Sequence, residues 1–168
     1  MFSSRVVALF WIFILFLVQN SFAYIFPEKA PALVLIGVLY YSLFEGAGSG
    51  FMAGAWGGLL IDLFGQGQPG FFSAAFAASG GLCGIASSKV FEDSWLIEII
   101  LPFLSLYAIL LGQHVFFLTQ AGEPVTFSAI SVAFLPWPLF TTALCAPWLF
   151  TLLRKLSPRQ RRRWTAGA

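Results

Sequence analysis

Charged side chains are scarce in this chain. Only 10% of its 168 residues are charged, whereas 59% are hydrophobic, and the mean hydropathy is +0.87. An ordinary soluble domain carries about 25% charged residues. The sequence also has no long polar stretch, so it leaves no room for a sizeable domain outside a membrane. The composition therefore excludes a soluble globular protein and predicts an integral membrane protein.

Groups that carry chemistry are also few. The two cysteines, Cys83 and Cys145, lie in apolar segments at no spacing typical of a metal or redox site, and His114 is the single histidine. The sequence contains no nucleophile elbow, no His-Glu-x-x-His pair and no phosphate-binding loop. We therefore predict a protein that is not an enzyme and that has no catalytic residues, no metal site and no cofactor.

Six apolar segments are predicted to form membrane-spanning helices. A span needs about 20 largely apolar residues, and the second segment is shorter, since it reaches only about 21 Å as a helix. The first segment also resembles a signal peptide, but it stays apolar long enough to favour a retained helix. The predicted segments are residues 6–26, 31–44, 46–64, 70–88, 95–118 and 126–153.

The distribution of Lys and Arg predicts the orientation, because these residues are retained on the cytoplasmic side. Six spans with both ends inside place Arg5, Lys89 and the basic tail of residues 154–168 in the cytoplasm and leave only Lys29 outside. The predicted fold class is an all-α, polytopic membrane bundle of six transmembrane helices in one domain, residues 1–153, with cytoplasmic N and C termini. The tail is expected to contact anionic membrane lipids, with a cytoplasmic partner as the alternative, and nucleic-acid binding is not expected.

The third segment carries glycine at every fourth position, at Gly46, Gly50, Gly54 and Gly58. Small residues at this spacing let membrane helices approach closely. At about 100° per residue, these glycines and Gly57 share one smooth face, and bulky side chains occupy the opposite face. The fourth segment is also rich in small residues. We therefore predict that the two helices form a close antiparallel hairpin through this helix-packing motif.

An acid follows the glycines, since Asp62 comes four residues after Gly58 and lies at the edge of the smooth face. An ionisable residue inside a membrane segment is a functional candidate by default. Three uses stay open for Asp62. Its carboxylate can accept hydrogen bonds from amides of the following turn, it can bind a partner, or it can take part in proton or ion chemistry.

The pattern Gly50-x3-Gly54-x2-Gly57-Gly-Leu-Leu-Ile-Asp62-Leu, followed by Pro69-Gly70, resembles the MreD family of bacterial rod-shape-determining proteins. That family is similar in size and almost wholly embedded in the membrane. The resemblance implies a non-catalytic scaffold of the cell-elongation machinery that directs peptidoglycan synthesis, located in the bacterial cytoplasmic (inner) membrane. By the same resemblance, the family-motif positions here are Gly50, Gly54, Gly58, Asp62, Pro69 and Gly70. We hypothesise that Asp62, Pro69 and Gly70 at the outer end of the hairpin are partner contacts.

The same resemblance implies a set of partners. The first is MreC, a single-span membrane protein with a large periplasmic domain. More distant partners are the actin-like MreB, the glycan polymerase RodA and its cognate penicillin-binding transpeptidase.

A second function stays open, that of a small-molecule-binding membrane subunit similar to the substrate-binding component of energy-coupling-factor vitamin transporters. Those subunits are also compact six-helix proteins, and they typically dock a coupling subunit through small alanines on the first helix. Here the stretch 6–18 is bulky, and Ala8 is its only alanine. This difference favours the scaffold over the transporter subunit.

Overall fold

The computed structural model describes residues 2–26, 30–65, 69–90, 95–122 and 137–156. Within these ranges the chain forms α-helices and no strands, so the predicted all-α class is confirmed. The six helices are α1 (Phe2–Ile25), α2 (Leu33–Glu45), α3 (Ala47–Phe64), α4 (Phe71–Val90), α5 (Trp95–Ala121) and α6 (Trp137–Leu156).

Three of the helices are long and apolar enough to cross a membrane, through the segments Val6–Ile25, Ala47–Phe64 and Glu98–Ala121. The other three contain shorter apolar segments. By length and composition, the described helices thus provide three of the six predicted spans. The predicted sixth span began at residue 126, and its first part, up to residue 136, lies outside the described residues. The predicted basic tail begins inside α6, and residues 157–168 lie outside the described part as well.

The short helix α2 lies at the centre of the bundle. Every residue from 33 to 40 is buried, and α2 packs against each of the other five helices. A helix that is apolar on all sides is stable only when other elements surround it. The neighbours of α2 therefore bury it on all sides, which explains how a helix of only about 20 Å can be this apolar and belong to the bundle.

Side chains of two neighbouring helices accept hydrogen bonds from backbone amides at the start of α2. The first amides of a helix have no acceptor within the helix itself. The amide of Ala32 donates to Oγ1 of Thr142 on α6 at 2.9 Å, and the amide of Val34 donates to Oε1 of Gln19 on α1 at 2.9 Å. Thr142 is fully buried. These bonds fix the N-terminal end of α2 between α1 and α6. Its C-terminal end connects to α3.

Candidate functional site: the hairpin of α3 and α4

Helices α3 and α4 pack antiparallel with their backbones in contact. Gly50, Gly54 and Gly58 of α3 face, in that order, Gly80, Phe76 and Phe72 of α4. A β-carbon at any of these three glycines would lie within 3.0 Å of α4 backbone atoms, a separation that real β-carbons essentially never show. The structure thus contains the close antiparallel hairpin that the small residues predict, and glycine is required at each of the three positions.

Glycine is also required at two positions of α4. A β-carbon at Gly80 would meet the backbone of Gly50, and one at Gly84 would meet the backbone of Ala47. The small residues of the two helices therefore alternate along one continuous seam. In lipid, such close packing stabilises a helix pair through van der Waals contact, since lipid chains are as apolar as the helices.

The remaining two glycines of the predicted motif have other positions. Gly57 is buried and faces α2 and α1, where a β-carbon would lie 2.9 Å from Val34 Cγ1 and 3.4 Å from Ile12 Cγ2. Gly46 lies outside α3, in the break between α2 and α3, with φ at +85°. A β-carbon there would meet nothing within 4 Å. Gly46 therefore suits its left-handed backbone. It lies outside the helical face of α3, but its backbone borders the seam, since a β-carbon at Gly84 would lie 2.6 Å from its carbonyl carbon.

A serine that the sequence analysis did not single out joins α2 to the hairpin. The hydroxyl of Ser42 is fully buried and donates to the carbonyl of Gly80. It also occupies the space that a β-carbon at Gly50 would need. One serine in an apolar helix carries no periodic signal, so only the packing of α2 against the seam reveals this bond.

Asp62, near the end of α3, caps the N-terminus of α4. Its Oδ1 accepts from the amide of Phe72 at 3.1 Å, and its Oδ2 accepts from the amide of Ser73 at 2.8 Å. The residue before α4 is Gly70, which has no side chain to supply such a cap. Capping oxygens normally belong to the residue just before the helix, and a negative charge at this end also interacts favourably with the helix dipole. The carboxylate therefore ties the end of α3 to the beginning of α4.

The hydroxyl of Ser73 adds a second tie, because it donates to the carbonyl of Ala55 on α3 at 3.2 Å. Ser73 thus uses its amide toward Asp62 and its side chain toward the middle of α3. The start of α4 is therefore bonded to α3 at two places, Asp62 and Ala55.

The tip itself is open to its surroundings. Pro69 and Gly70 are exposed, and Gly70 has φ at +91°. At the end of α3, Leu63 and Phe64 are exposed by 68% and 66%. Of the three predicted partner contacts, the structure therefore places Pro69 and Gly70 on the surface, whereas the half-buried Asp62 is engaged by α4. Residues 66–68 lie outside the described part of the chain.

An apolar groove with a volume of about 360 Å³ follows the outer face of α3. Its lining is mostly aliphatic and aromatic and contains no charged side chain. Its polar side chains are Tyr41, Ser49, Ser73 and, through its indole N–H, Trp56. The lining residues are Leu9, Tyr41, Ser49, Phe51, Met52, Ala53, Ala55, Trp56, Leu59 and Ser73.

The cysteines and the histidine lie away from the connection between α3 and α4. Cys83 is buried, and its thiol lies 3.8 Å from the carbonyl of Leu39, while Cys145 is half-buried on α6. His114 lies on α5 and is half-buried. In the part of the chain that the structure describes, no group of three His, Cys, Asp or Glu side chains could hold a metal ion. Comparison with protein-family models, with curated proteins and with solved structures gave no match.

Proposed function

We propose that this chain is a non-catalytic scaffold of the bacterial cell-elongation machinery and that it binds a single-span membrane protein similar to MreC. The observation that carries the proposal is the clamp between Asp62 and the first amides of α4. It fixes the start of α4 against the end of α3, directly after Pro69 and Gly70, two exposed positions of the MreD-like motif. MreB, RodA and a penicillin-binding transpeptidase are proposed as more distant partners.

The fixed position of the end of α3 against the start of α4 supports this proposal for an energetic reason. Binding costs free energy when a flexible surface must be ordered, and a surface held in one shape avoids that cost. The seam of glycines and the carboxylate clamp hold the end of α3 against the start of α4, and Leu63 and Phe64 present apolar area at that end of α3. A partner helix or juxtamembrane segment with apolar side chains would match this surface.

Substitution of one exposed leucine tests the partner surface. Leu63→Ser is expected to lower recovery of the MreC homologue of the same organism in co-purification by about fivefold, since a central apolar contact carries about 1 kcal/mol or more. Leu82→Ser is the matched control, because Leu82 is 67% exposed on α4 and Leu63 is 68% exposed. Equal recovery with both variants would remove Leu63 from the interface. Failure of the unaltered chain to recover the homologue would refute the proposed partnership.

We also propose that all six helices span the inner membrane with both termini in the cytoplasm. The positions of Arg5, Lys89 and the basic residues after Leu153 support this orientation, and the burial of α2 among its neighbours supports a short central span. A fluorescent protein fused after residue 168 should therefore fluoresce, and alkaline phosphatase at the same place should be inactive. The reverse result would place the C terminus outside and contradict an even number of spans with a cytoplasmic N terminus.

The groove along α3 favours the second candidate, a small-molecule-binding subunit similar to those of energy-coupling-factor vitamin transporters. Ligand sites are typically apolar cavities of about 300–1,000 Å³ with a few polar groups, and this groove lies at the lower end of that range. Release of one stoichiometric vitamin from the purified chain would favour this candidate over the scaffold. Mass spectrometry of the denatured preparation makes the distinction.

A further inference from the structure

All Lys and Arg residues in the described ranges lie at one end of the bundle. There are four of them: Arg5 in α1, Lys89 in α4, and Arg154 and Lys155 in α6. This is the end at which α2 ends and α3 begins. Contacts between the helices determine how the basic positions are placed relative to the end of α2.

The register of α6 against α2 places Lys155. The amide of Ala32 donates to Oγ1 of Thr142 at 2.9 Å. Further along the same two helices, the rings of Tyr40 and Phe150 have their centroids 5.3 Å apart. The two contacts are separated by the same number of residues in both helices, so α2 and α6 run parallel and in register. Lys155 is therefore level with the last residue of α2.

The glycine seam places Lys89. A β-carbon at Gly84 would meet the backbone of Ala47, the first residue of α3. Lys89 follows in α4 after a little more than one further turn, which is about 7.5 Å of helix. Helix α4 therefore carries Lys89 just beyond the connection between α2 and α3.

The packing of α1 on α2 places Arg5. A β-carbon at Gly37 would meet the side chain of Leu15, and the amide of Val34 donates to Gln19, so the two helices are antiparallel. Arg5 is about 15 Å from Leu15 along α1, and α2 ends about 12 Å beyond Gly37. Arg5 is therefore also close to the level at which α2 ends.

Positive charge is in excess at this end. Its acids among the described residues are Glu45, which is exposed, and Glu98 in the first turn of α5, so two acidic residues stand against four basic ones. In the sequence, four more arginines follow α6, and two acids lie between α4 and α5. Lys155 is exposed and has no hydrogen bond or ion pair with the described part of the chain. Its charge is therefore available to an external anion.

The basic positions surround the end of the central helix. Helices α1, α4 and α6 each pack on α2, and in the described part of the chain none of the three packs closely on another. They therefore lie on different sides of α2. An anion source that surrounds the bundle matches this arrangement, and in a bilayer that source is the headgroup layer, where anionic lipids attract Lys and Arg. We propose that this end of the bundle binds the phosphate groups of anionic phospholipids through Arg5, Lys89, Arg154 and Lys155.

The chemistry of the contact is a charge-assisted hydrogen bond from an ammonium or guanidinium group to a phosphate oxygen. The site is formed at the ends of the helices and is thus distinct from the tail after α6. The inference rests on the proposed membrane position of the helices, but not on the proposed partner or on which side of the membrane this end faces.

The test uses the full chain in nanodiscs with equal amounts of phosphatidylglycerol and phosphatidylcholine that carry the same acyl chains. Native mass spectrometry of the released protein identifies the lipids that remain bound. We expect phosphatidylglycerol to be enriched among them. The double variant Lys89→Gln, Lys155→Gln should lower this enrichment by about fivefold or more, because it removes two of the four charges.

The double variant Lys89→Arg, Lys155→Arg is the matched control. It changes the same two positions but keeps both charges and their hydrogen-bond donors, so the enrichment should stay at the level of the unaltered chain. Higher salt should weaken the enrichment in both proteins, since mobile ions screen exposed charges.

Three outcomes would overturn the proposal. Equal retention of the two lipids by the unaltered chain would show that no anionic lipid is selected. Enrichment that survives the glutamine variant and is lost only with Arg161→Gln, Arg162→Gln, Arg163→Gln would assign the binding to the tail alone. Recovery of an acidic protein on this end in place of lipid would show that a protein covers it. Recovery of the MreC homologue and the C-terminal reporters are separate measurements, so failure of the lipid site is distinguishable from failure of the proposed function.

Discussion

Gly54→Ala is expected to force α3 and α4 apart and to lower the free energy of unfolding by about 3 kcal/mol. Overpacking of a well-packed interface costs about 1–3 kcal/mol, and more where the neighbours cannot move. The new β-carbon would lie within 3.0 Å of the backbone at Phe76 and Ala77. A backbone that belongs to a helix cannot rotate away as a side chain can, so this substitution falls at the upper end of the range.

The measurement is thermal unfolding in detergent micelles. The reaction of Cys83 with a thiol-reactive dye monitors the transition. Cys83 lies on α4 and is only 3% exposed, so it becomes reactive when the hairpin opens. We expect the transition of Gly54→Ala to occur at a clearly lower temperature than that of the unaltered chain. Because Cys145 is also present and less buried, a Cys145→Ser background makes the signal specific for α4.

Gly48→Ala is the matched control for this prediction. Gly48 lies in the same helix, is exposed, and has nothing within 4 Å of the place where a β-carbon would be. Alanine is favoured over glycine in a helix by about 1 kcal/mol, so this variant should be as stable as the unaltered chain or more stable. If Gly54→Ala were equally stable, the backbone contact at this point of the seam would be absent in the protein.

Asp62→Ala is expected to destabilise the hairpin tip by about 2 kcal/mol, the upper end of the range for loss of a helix cap. The substitution leaves the amides of Phe72 and Ser73 without their acceptors. A backbone amide that loses its partner is costly when it is partly buried, as these two amides are. It also removes a negative charge from the positive end of the α4 dipole.

Asp62→Asn separates the two contributions. The asparagine side chain keeps one oxygen that can accept from the amide of Ser73, but it lacks the charge and the second acceptor. We expect about half of the effect of Asp62→Ala, measured by hydrogen exchange at the amides of residues 72 and 73 together with the unfolding temperature. Unchanged protection of both amides in Asp62→Ala would show that α4 does not depend on this carboxylate.

The same variants relate stability to the proposed function. Asp62 was predicted as a partner contact, and the structure engages its two oxygens within the chain. If the scaffold proposal is right, loss of MreC recovery in Asp62→Ala should follow the loss of order at the tip. Asp62→Asn should then have an intermediate effect on both. Normal recovery and normal cell shape with Asp62→Ala would remove Asp62 from the function altogether.

Much of the hairpin could be predicted because its signals are local. Glycine at every fourth position marks a face on which only small residues are tolerated, and Gly50, Gly54 and Gly58 indeed face the α4 backbone. Gly46 has the same spacing but precedes α3 with positive φ, so it borders the seam through its backbone and does not share the helical face. Spacing describes which residues share a face only as long as the helix continues, and no residue type in this stretch marks its start unambiguously.

The sequence limited the role of Asp62 to three possibilities but could not decide among them. Its position before a turn made amide acceptance one of three open uses, and the structure shows that use. The two amides lie ten and eleven residues further along the chain. Which amides a carboxylate reaches depends on the register of the two helices, and that register is determined by the glycine seam.

The sequence by itself determined that this chain is helical, that several of its helices are apolar enough to cross a membrane and that its third and fourth helices approach closely, because composition and periodicity act locally along the chain. Only the tertiary structure decided that the short α2 is the central helix, that Ser42 bonds α2 to Gly80 of the seam, and that an apolar groove follows α3. Each of these depends on how several helices are placed relative to one another in space. No pattern within a single helix carries that information, because burial and hydrogen-bond partners are properties of the packed bundle.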